Sequence, residues 1–500
     1  MNKTFLSFKK VAKAMIPMAI MAVSLFSGCK KDEDNPDNPT DEIEIVELSG
    51  TISGNRTLSS DTIYRLNGYV RVGEDLTLNG TPTKTGNLTI EAGTLILGDK
   101  ETKGTLIIHR GSKIFAQGTE TAPIVFTSEK APGLKNPGDW GGIVICGKAT
   151  NNFPGGAAEL EGGYGAYHGG SDDADNSGLL EYVRIEYAGV PINPNQEVNS
   201  LTLGSVGSGT EIHHIQCSYG LDDAFEFFGG TVNATHIIAY RGLDDDLDMD
   251  NGYRGHIQFA LLVKDYNLAD QSGSNGMEVD NDGSGSTNTP FTAPSLSNVT
   301  IIGPKANRET PISLQFQNAF HLRRSNKIKI YNTFATGYPN GLFIDGTNCV
   351  SYAQSGDLAV KNTIIAGVEN WGGNGFGSAG SLNVNSTVGT DTLTNQHPTN
   401  PRGIPFKTTD ASWNIRSWFE TAAYDNAFSS KWQNQGIDAT IFEAGSPKVT
   451  PNVGSSLLTG ADFTGTTGFD NSVSFIGAFG SSNWTTGWVE WNPASKVYYE

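Results

Sequence analysis

Gly220-Leu221-Asp222-Asp223-Ala224-Phe225-Glu226-Phe227-Phe228 returns 22 residues later as Gly242-Leu243-Asp244-Asp245-Asp246-Leu247-Asp248-Met249-Asp250. The last five positions of this pattern recur as Gly276-Met277-Glu278-Val279-Asp280, Ala319-Phe320-His321-Leu322-Arg323 and Gly341-Leu342-Phe343-Ile344-Asp345. In each copy the second and fourth residues are apolar. On a strand, successive side chains face opposite sides, so these two point into a core and the third and fifth point out. One such unit cannot bury its apolar side alone. Units stacked one above another can, which is the logic of a parallel β-solenoid.

Upstream, Val70-Arg71-Val72, Leu88-Thr89-Ile90, Leu106-Ile107-Ile108 and Ile124-Val125-Phe126 follow one another at 18-residue intervals. Gly93 and Gly111 keep that offset, as do Leu78, Ile96 and Ile114. These units are expected to stack directly on one another. A left-handed hexapeptide helix also has 18-residue coils, but it tolerates little length variation, and the later units here vary widely. The run Gly111-Ser112-Lys113-Ile114-Phe115-Ala116-Gln117-Gly118-Thr119, continued by Pro123-Ile124-Val125-Phe126-Thr127-Ser128, resembles right-handed parallel β-helices of the pectate-lyase-like class. The expected fold class is all-β: a right-handed parallel β-helix with a small C-terminal capping region containing a short helix. Abundant glycine (61 residues) and recurring turn dipeptides agree with it.

Stacking makes two outward columns. One reads Glu226, Asp248, Glu278, His321, Phe343; the other reads Phe228, Asp250, Asp280, Arg323, Asp345. Asp222 and Asp223 fall over Asp244 and Asp245. Neighbouring strands are about 4.8 Å apart, so stacked carboxylates repel unless a cation bridges them or some keep their protons. Hard oxygen ligands on a rigid wall suit Ca²⁺, which makes Asp244, Asp245, Asp246, Asp248, Asp250, Glu278 and Asp280 the metal-ligand candidates. Neither 244–250 nor 278–283 completes an EF-hand loop: the first has Asn251 at the glycine position, and the second opens with Glu278 and has Thr289 in place of the closing glutamate. Asp222, Asp223, Glu226, Asp250, Asp280 and Asp345 are expected to line a binding face. Two catalytic readings use the same wall. A glycoside hydrolase would pair Asp248 with Glu278, and a polysaccharide lyase would use His321 or Arg323 as base beside Ca²⁺. The bland alternative is a solvated acidic face.

The N-terminal residues carry an address. Lys3, Lys9, Lys10 and Lys13 precede the apolar run 14–26, and Ser27-Gly28 precedes Cys29, the layout of a secretory signal over residues 1–28. Leu25-Phe26-Ser27-Gly28-Cys29 resembles a bacterial lipobox with Phe26 where leucine is usual, so Cys29 is the expected lipid attachment site. Lys30-Lys31-Asp32-Glu33-Asp34 resembles the export signal of Bacteroidetes surface lipoproteins. Residues 29–48 read as an acidic tether, 49–370 as the β-helix with loop insertions, and 371–500 as C-terminal coils and cap. The repeated Gly-Leu-Asp-Asp, Phe227-Phe228-Gly229-Gly230-Thr231-Val232-Asn233 and Trp140-Gly141-Gly142 resemble a family of β-helical surface lipoproteins of Bacteroidetes. That resemblance implies an outer membrane location facing the cell exterior, and it carries no activity.

Loss of residues 1–28 moves the formal charge from −19 to −23. Such a body repels nucleic acid, and the glycine-rich stretch 162–173 has no phosphate-loop lysine, so nucleotide binding is not expected. Cys146, Cys217 and Cys349 are isolated and read as free buried thiols. His213-His214 face opposite ways on a strand, a poor chelate. Residues 410–428 alternate like a helix with Asp410 as cap and Trp413, Phe419 and Ala423 buried. Trp484, Trp488 and Trp491 are expected to plug the open end of the solenoid. The function expected is a surface-anchored, non-catalytic binding or accessory module for a glycan, peptide, partner receptor or outer-membrane importer. The lyase or glycosidase and a purely structural or adhesive role are the alternatives.

Overall fold

The computed structural model describes residues 45–499 except 79–80, 194–195, 308–309, 368–385, 388–403, 411 and 430. The signal segment, Cys29 and most of the acidic tether lie outside the described residues.

Almost every described strand joins one continuous parallel sheet wound into coils. One face stacks Thr105–Ile108, Ile143–Cys146, Leu201–Gly204, Phe225–Phe228, Leu247–Asp250, Met277–Val279, Asn318–Leu322, Asn340–Ile344 and Ile404–Thr408. Their alternate residues (Phe225 and Phe227, Leu247 and Met249, Phe320 and Leu322) are fully buried, or nearly so, in one core along the axis. The repeat therefore forms as the alternation requires.

The 18-residue spacing stacks differently from expectation. Val70 pairs with Leu106, 36 residues on, whereas Leu88 pairs with Ile114. Consecutive 18-residue units thus lie on different faces, and two of them make one coil. The alternation is the same on each face, so the local pattern repeats at half the true period.

The other two faces share long strands bent in the middle: Gly178–Glu186, Glu211–Ser218, Asn233–Tyr240, His256–Val263 and Ser295–Ile302. The bend falls at Tyr182, His214, His236, Phe259 and Asn298, all left-handed with φ between 49° and 59°. Left-handed backbone costs a non-glycine residue about 1–2 kcal/mol, and stacking offsets it. Ring centroids run 4.4 Å from Tyr182 to His214, 4.6 Å to His236 and 4.8 Å to Phe259. Asparagines continue the corner at Asn298, Asn332 and Asn362, where Asn362 Nδ2 donates to Asn332 Oδ1 at 2.6 Å.

Ala427–Ser429 still pairs into the coil stack, and the expected helix shrinks to Ile415–Phe419, with Asn414 rather than Asp410 accepting from Ser417 N–H. Phe419 is buried, Trp413 half-buried and Ala423 exposed. A second helix, Thr347–Ser355, leaves a turn between coils. Residues 432–499 then run back along the outside of the bent corner. Asn362 Nδ2 donates to Gly460 O (2.7 Å), Gln258 Nε2 to Asp470 O (2.9 Å), Gln216 Nε2 to Glu490 O (2.9 Å) and Tyr498 OH to Glu186 Oε1 (2.6 Å). The tryptophans line this strap: Trp488 packs on Tyr182 and His214, Trp484 on His236, Trp491 on Tyr240. They cover a lateral aromatic column instead of an end, because the bend turns those rings outward and leaves apolar area to bury. The three described cysteines are free and buried. Among the described residues no helix is long and apolar enough to cross a membrane.

Candidate functional site

The first face carries the acidic columns in the expected register. Glu226 stands beside Asp248, Asp248 beside Glu278, Glu278 beside His321, and His321 beside Phe343. The column extends to Thr202 before Glu226 and to Lys407 after Phe343.

At the turn before these strands, side chains form a ladder. Asp223 Oδ1 accepts from Asp245 N–H (2.8 Å), Asp245 Oδ1 from Asn275 N–H (2.5 Å), and Asn275 Oδ1 from Asn318 N–H (3.1 Å). Asn340 Nδ2 donates to Asn318 Oδ1 (3.1 Å). Asp223 and Asp245 therefore satisfy buried backbone donors besides adding charge.

A cleft of about 790 Å³ opens over the columns. Asp222, Asp223, Glu226, Asp244, Asp248, Asp250 and Asp280 line it, together with Glu161, Glu197, Asp270, Arg323 and Arg324. Glu161, Glu197 and Asp270 come from loop insertions, whose strand pattern gives no register and no hint of direction. The insertion 281–290 folds on itself: Asn281 is buried and its Nδ2 donates to Ser286 O and Asn288 O, each at 3.0 Å.

Three carboxylate groupings have donor oxygens within 4.8 Å of one another: Asp222, Asp223 and Asp244; Asp223, Glu226 and Asp248; Asp245, Asp248 and Glu278. Glu226 Oε1 and Asp248 Oδ1 are buried without a hydrogen-bond partner. Burial, then the neighbouring carboxylates, pushes Asp223 and Asp248 well above the carboxylate range and Asp222 up to about 8. Burial also raises Glu226 and Asp244 strongly and takes Asp250 up to about 8 and Asp245 to about 7.

Three expected metal ligands, Asp246, Asp280 and Glu278, face cationic side chains. Asp246 faces away from the cleft: its Oδ1 lies 3.0 Å from Lys264 Nζ, and both side chains are completely buried. Asp280 is held by Arg323 Nε at 2.9 Å and Arg324 Nη1 at 2.7 Å. Asp345 lies outside the cleft, in an adjoining pocket of about 350 Å³ beside Arg323, Arg324 and Asn348.

The lyase bases are also engaged. His321 Nδ1 lies 3.2 Å from Glu278 Oε2 and Nε2 lies 3.2 Å from Asp345 Oδ2, with the ring stacked on Phe343 at 4.9 Å. Burial pulls the imidazole pKa down, but these two carboxylates outweigh it and raise it above its ordinary value, and both ring nitrogens face carboxylates rather than the cleft. Arg323 bridges Glu278 and Asp280. Burial pushes Glu278 up, while His321 and Arg323 pull it below its ordinary value overall.

A pH dependence follows. Carboxyls with raised folded pKa values bind protons more tightly folded than unfolded, so their contribution is full below the unfolded value near 4 and is lost as pH rises through the folded value. For Asp222, Asp245 and Asp250 that window runs from about 4 to about 8. In chelator the melting temperature falls across this window. A flat profile there overturns the shifts.

No curated protein and no solved structure matches the chain. A family model described as a pectate-lyase like beta helix domain matches residues 50–416, the span of nearly all the stacked coils and the whole acidic cleft. With this match over most of its length, the chain belongs to the pectate-lyase-like β-helix domain family.

Proposed function

We propose that this chain is a lipid-anchored surface protein whose acidic cleft uses bound Ca²⁺ to hold an extracellular glycan, peptide or partner receptor, without chemistry of its own. The observation carrying the reading is the pair of orphaned buried oxygens, Glu226 Oε1 and Asp248 Oδ1, in one carboxylate grouping with Asp223. Asp222, Asp223, Glu226, Asp244, Asp248 and Asp250 make no ion pair with any described cationic side chain. A hard divalent cation supplies the missing partner, and carboxylates are its preferred ligands. Loops bearing Glu161, Glu197 and Asp270 wall the cleft, and its volume would leave room for a ligand's hydroxyl or carboxylate oxygens beside an ion held there. The outer-membrane, outward-facing address rests on the sequence 1–34, with Cys29 as the acylated residue.

Elemental analysis and thermal melts with and without chelator test the cleft. Stoichiometric calcium and a melting temperature that falls on chelation are expected, with both effects lost in Asp248→Asn and Glu226→Gln. Absence of bound calcium and an unchanged melt overturn the reading. Loss of palmitate labelling in Cys29→Ser tests the anchor.

One observation favours a glycosidase as second reading. Asp248 and Glu278 share a grouping, yet Asp248 is pushed up and Glu278 down. Carboxyls driven apart in this way are the mark of an acid and base pair, and retaining enzymes keep them about 5 Å apart. Release of reducing sugar from an acidic polysaccharide, abolished in Asp248→Asn, would establish it over the binding role.

A further inference from the structure

We propose that the gap between the strap and the bent corner is a second binding site, one that takes an uncharged sugar ring. Where the strap crosses His236 and Phe259, a cavity of about 630 Å³ remains, within the roughly 300–1,000 Å³ span of small-molecule pockets. Four rings wall it: His236, Phe259, Phe475 and Trp484. Centroids lie 4.8 Å apart from His236 to Phe259, 5.1 Å from His236 to Trp484 and 5.9 Å from Phe259 to Phe475. Phe259 is buried, whereas the other three are half-buried and keep open surface. Asp470 and the hydroxyls of Ser472, Ser474, Ser481 and Ser482 line the same space. A pyranose ring divides in the same way, with apolar C–H faces to bury against rings and a rim of hydroxyls that both donate and accept.

The walls are fixed before any ligand enters. Gln258, buried directly before the bend residue Phe259, donates through Nε2 to Asp470 O (2.9 Å) and accepts from Asp470 N–H (2.8 Å). Asn298 Nδ2 donates to Phe475 O (2.7 Å), and Thr300 Oγ1 accepts from Ala478 N–H (2.8 Å). The coil thus pins the strap at 470, 475 and 478, which lowers the ordering cost of binding. A Cβ at Gly480 would lie 2.7 Å from the Phe475 ring, so that ring rests against the glycine. Trp484 is held by its indole N–H on Ala478 O (2.8 Å) and by stacking on Phe479 (4.9 Å). Polar capacity is left over. Asp470 Oδ1 accepts from the N–H (2.9 Å) and Oγ–H (2.6 Å) of Ser472. Its Oδ2, the ring nitrogens of His236 and the hydroxyls of Ser481 and Ser482 hydrogen-bond to no described residue. An aromatic peptide side chain would cover the rings and leave these groups without partners. No lysine or arginine lines the cavity, so the Asp470 carboxylate disfavours a uronate or sulfated sugar. The site is independent of the calcium cleft, and the competing account is a gap in the strap's packing that takes no occupant.

Calorimetric titration of the full chain with maltohexaose, mannohexaose, xylohexaose and chitohexaose, in chelator so that the cleft holds no calcium, distinguishes the two. Saturable binding of at least one of these uncharged sugars is expected, at one per chain. Phe475→Leu, which keeps apolar bulk and removes the ring, weakens it about tenfold or more. Asp470→Asn, which keeps an acceptor for Ser472, weakens it about tenfold. The melting temperature of Asp470→Asn stays at the parent value, so its lost affinity is not a lost strap. Asp248→Asn in the cleft leaves sugar binding unchanged, which lets this site and the calcium reading fail separately. Binding of none of the four sugars overturns the proposal, as does binding unmoved by Phe475→Leu and Asp470→Asn or abolished by Asp248→Asn. Tighter binding of hexagalacturonate, or of the tripeptide Gly-Trp-Gly, than of any of the four also overturns it.

Discussion

Lys264→Met destabilises the coil body by about 3–5 kcal/mol, the usual cost of stripping one partner from a buried ion pair. Lys264 and Asp246 are both fully buried, and Lys264 Nζ also donates to Asp244 O. Without the ammonium group, Asp246 must either stay charged in a dry interior or take up a proton. Burial has already pushed it to about 6 with Lys264 in place. The loss is therefore largest above that pH and shrinks below it, where the carboxyl is neutral in any case. The double variant Lys264→Met with Asp246→Leu removes the charge and the orphan together and recovers most of the stability. Urea denaturation of the three proteins at two pH values checks this. Equal stability of the single variant and the parent would mean that water reaches the pair.

Trp488→Ala is expected to cost about 3–5 kcal/mol, the range for truncating a large buried aromatic, and to free the strap before the coils unfold. Trp488 is completely buried. Its indole N–H donates to Trp484 O at 2.8 Å, and its ring packs edge-on to Tyr182 and His214 at 5.8 and 5.7 Å. The coils hold one another through continuous strand pairing, whereas the strap is attached mainly by side chains, so the damage localises. Limited proteolysis reads it out: the variant is cut between residues 432 and 499 while the coil body survives. Val453→Ala, at a fully solvent-facing strap position, is the control and leaves the cutting rate unchanged. A Trp488→Ala protein as resistant as the parent would mean that backbone contacts alone hold the strap.

The alternation of Phe225 and Phe227 around Glu226, repeated at Leu247 and Met249 around Asp248, carries enough information to place Glu226, Asp248, Glu278, His321 and Phe343 in one outward column. Register on a strand has a period of two, and a slip of one would drive every carboxylate into the core. The same reasoning put Asp222 and Asp223 over Asp244 and Asp245. It failed for the 18-residue spacing, because each face shows the same local alternation and nothing local says which face a unit occupies.

The sequence by itself determined the parallel coil, the inward and outward sides of each strand, and the stacking of acids in columns, since all three follow from local alternation and burial. Only the tertiary structure decided which acids share a cleft, that Asp246 turns away to Lys264, that His214 bends back until its Nδ1 lies 3.1 Å from that of His213, and that the tryptophans cover a side of the coil. The strap's contacts join residues far apart in the chain, as with Gln216 and Glu490, 274 residues apart. Side chains that meet across such distances are selected by the space and charge the coil leaves open, and that is a property of the folded surface.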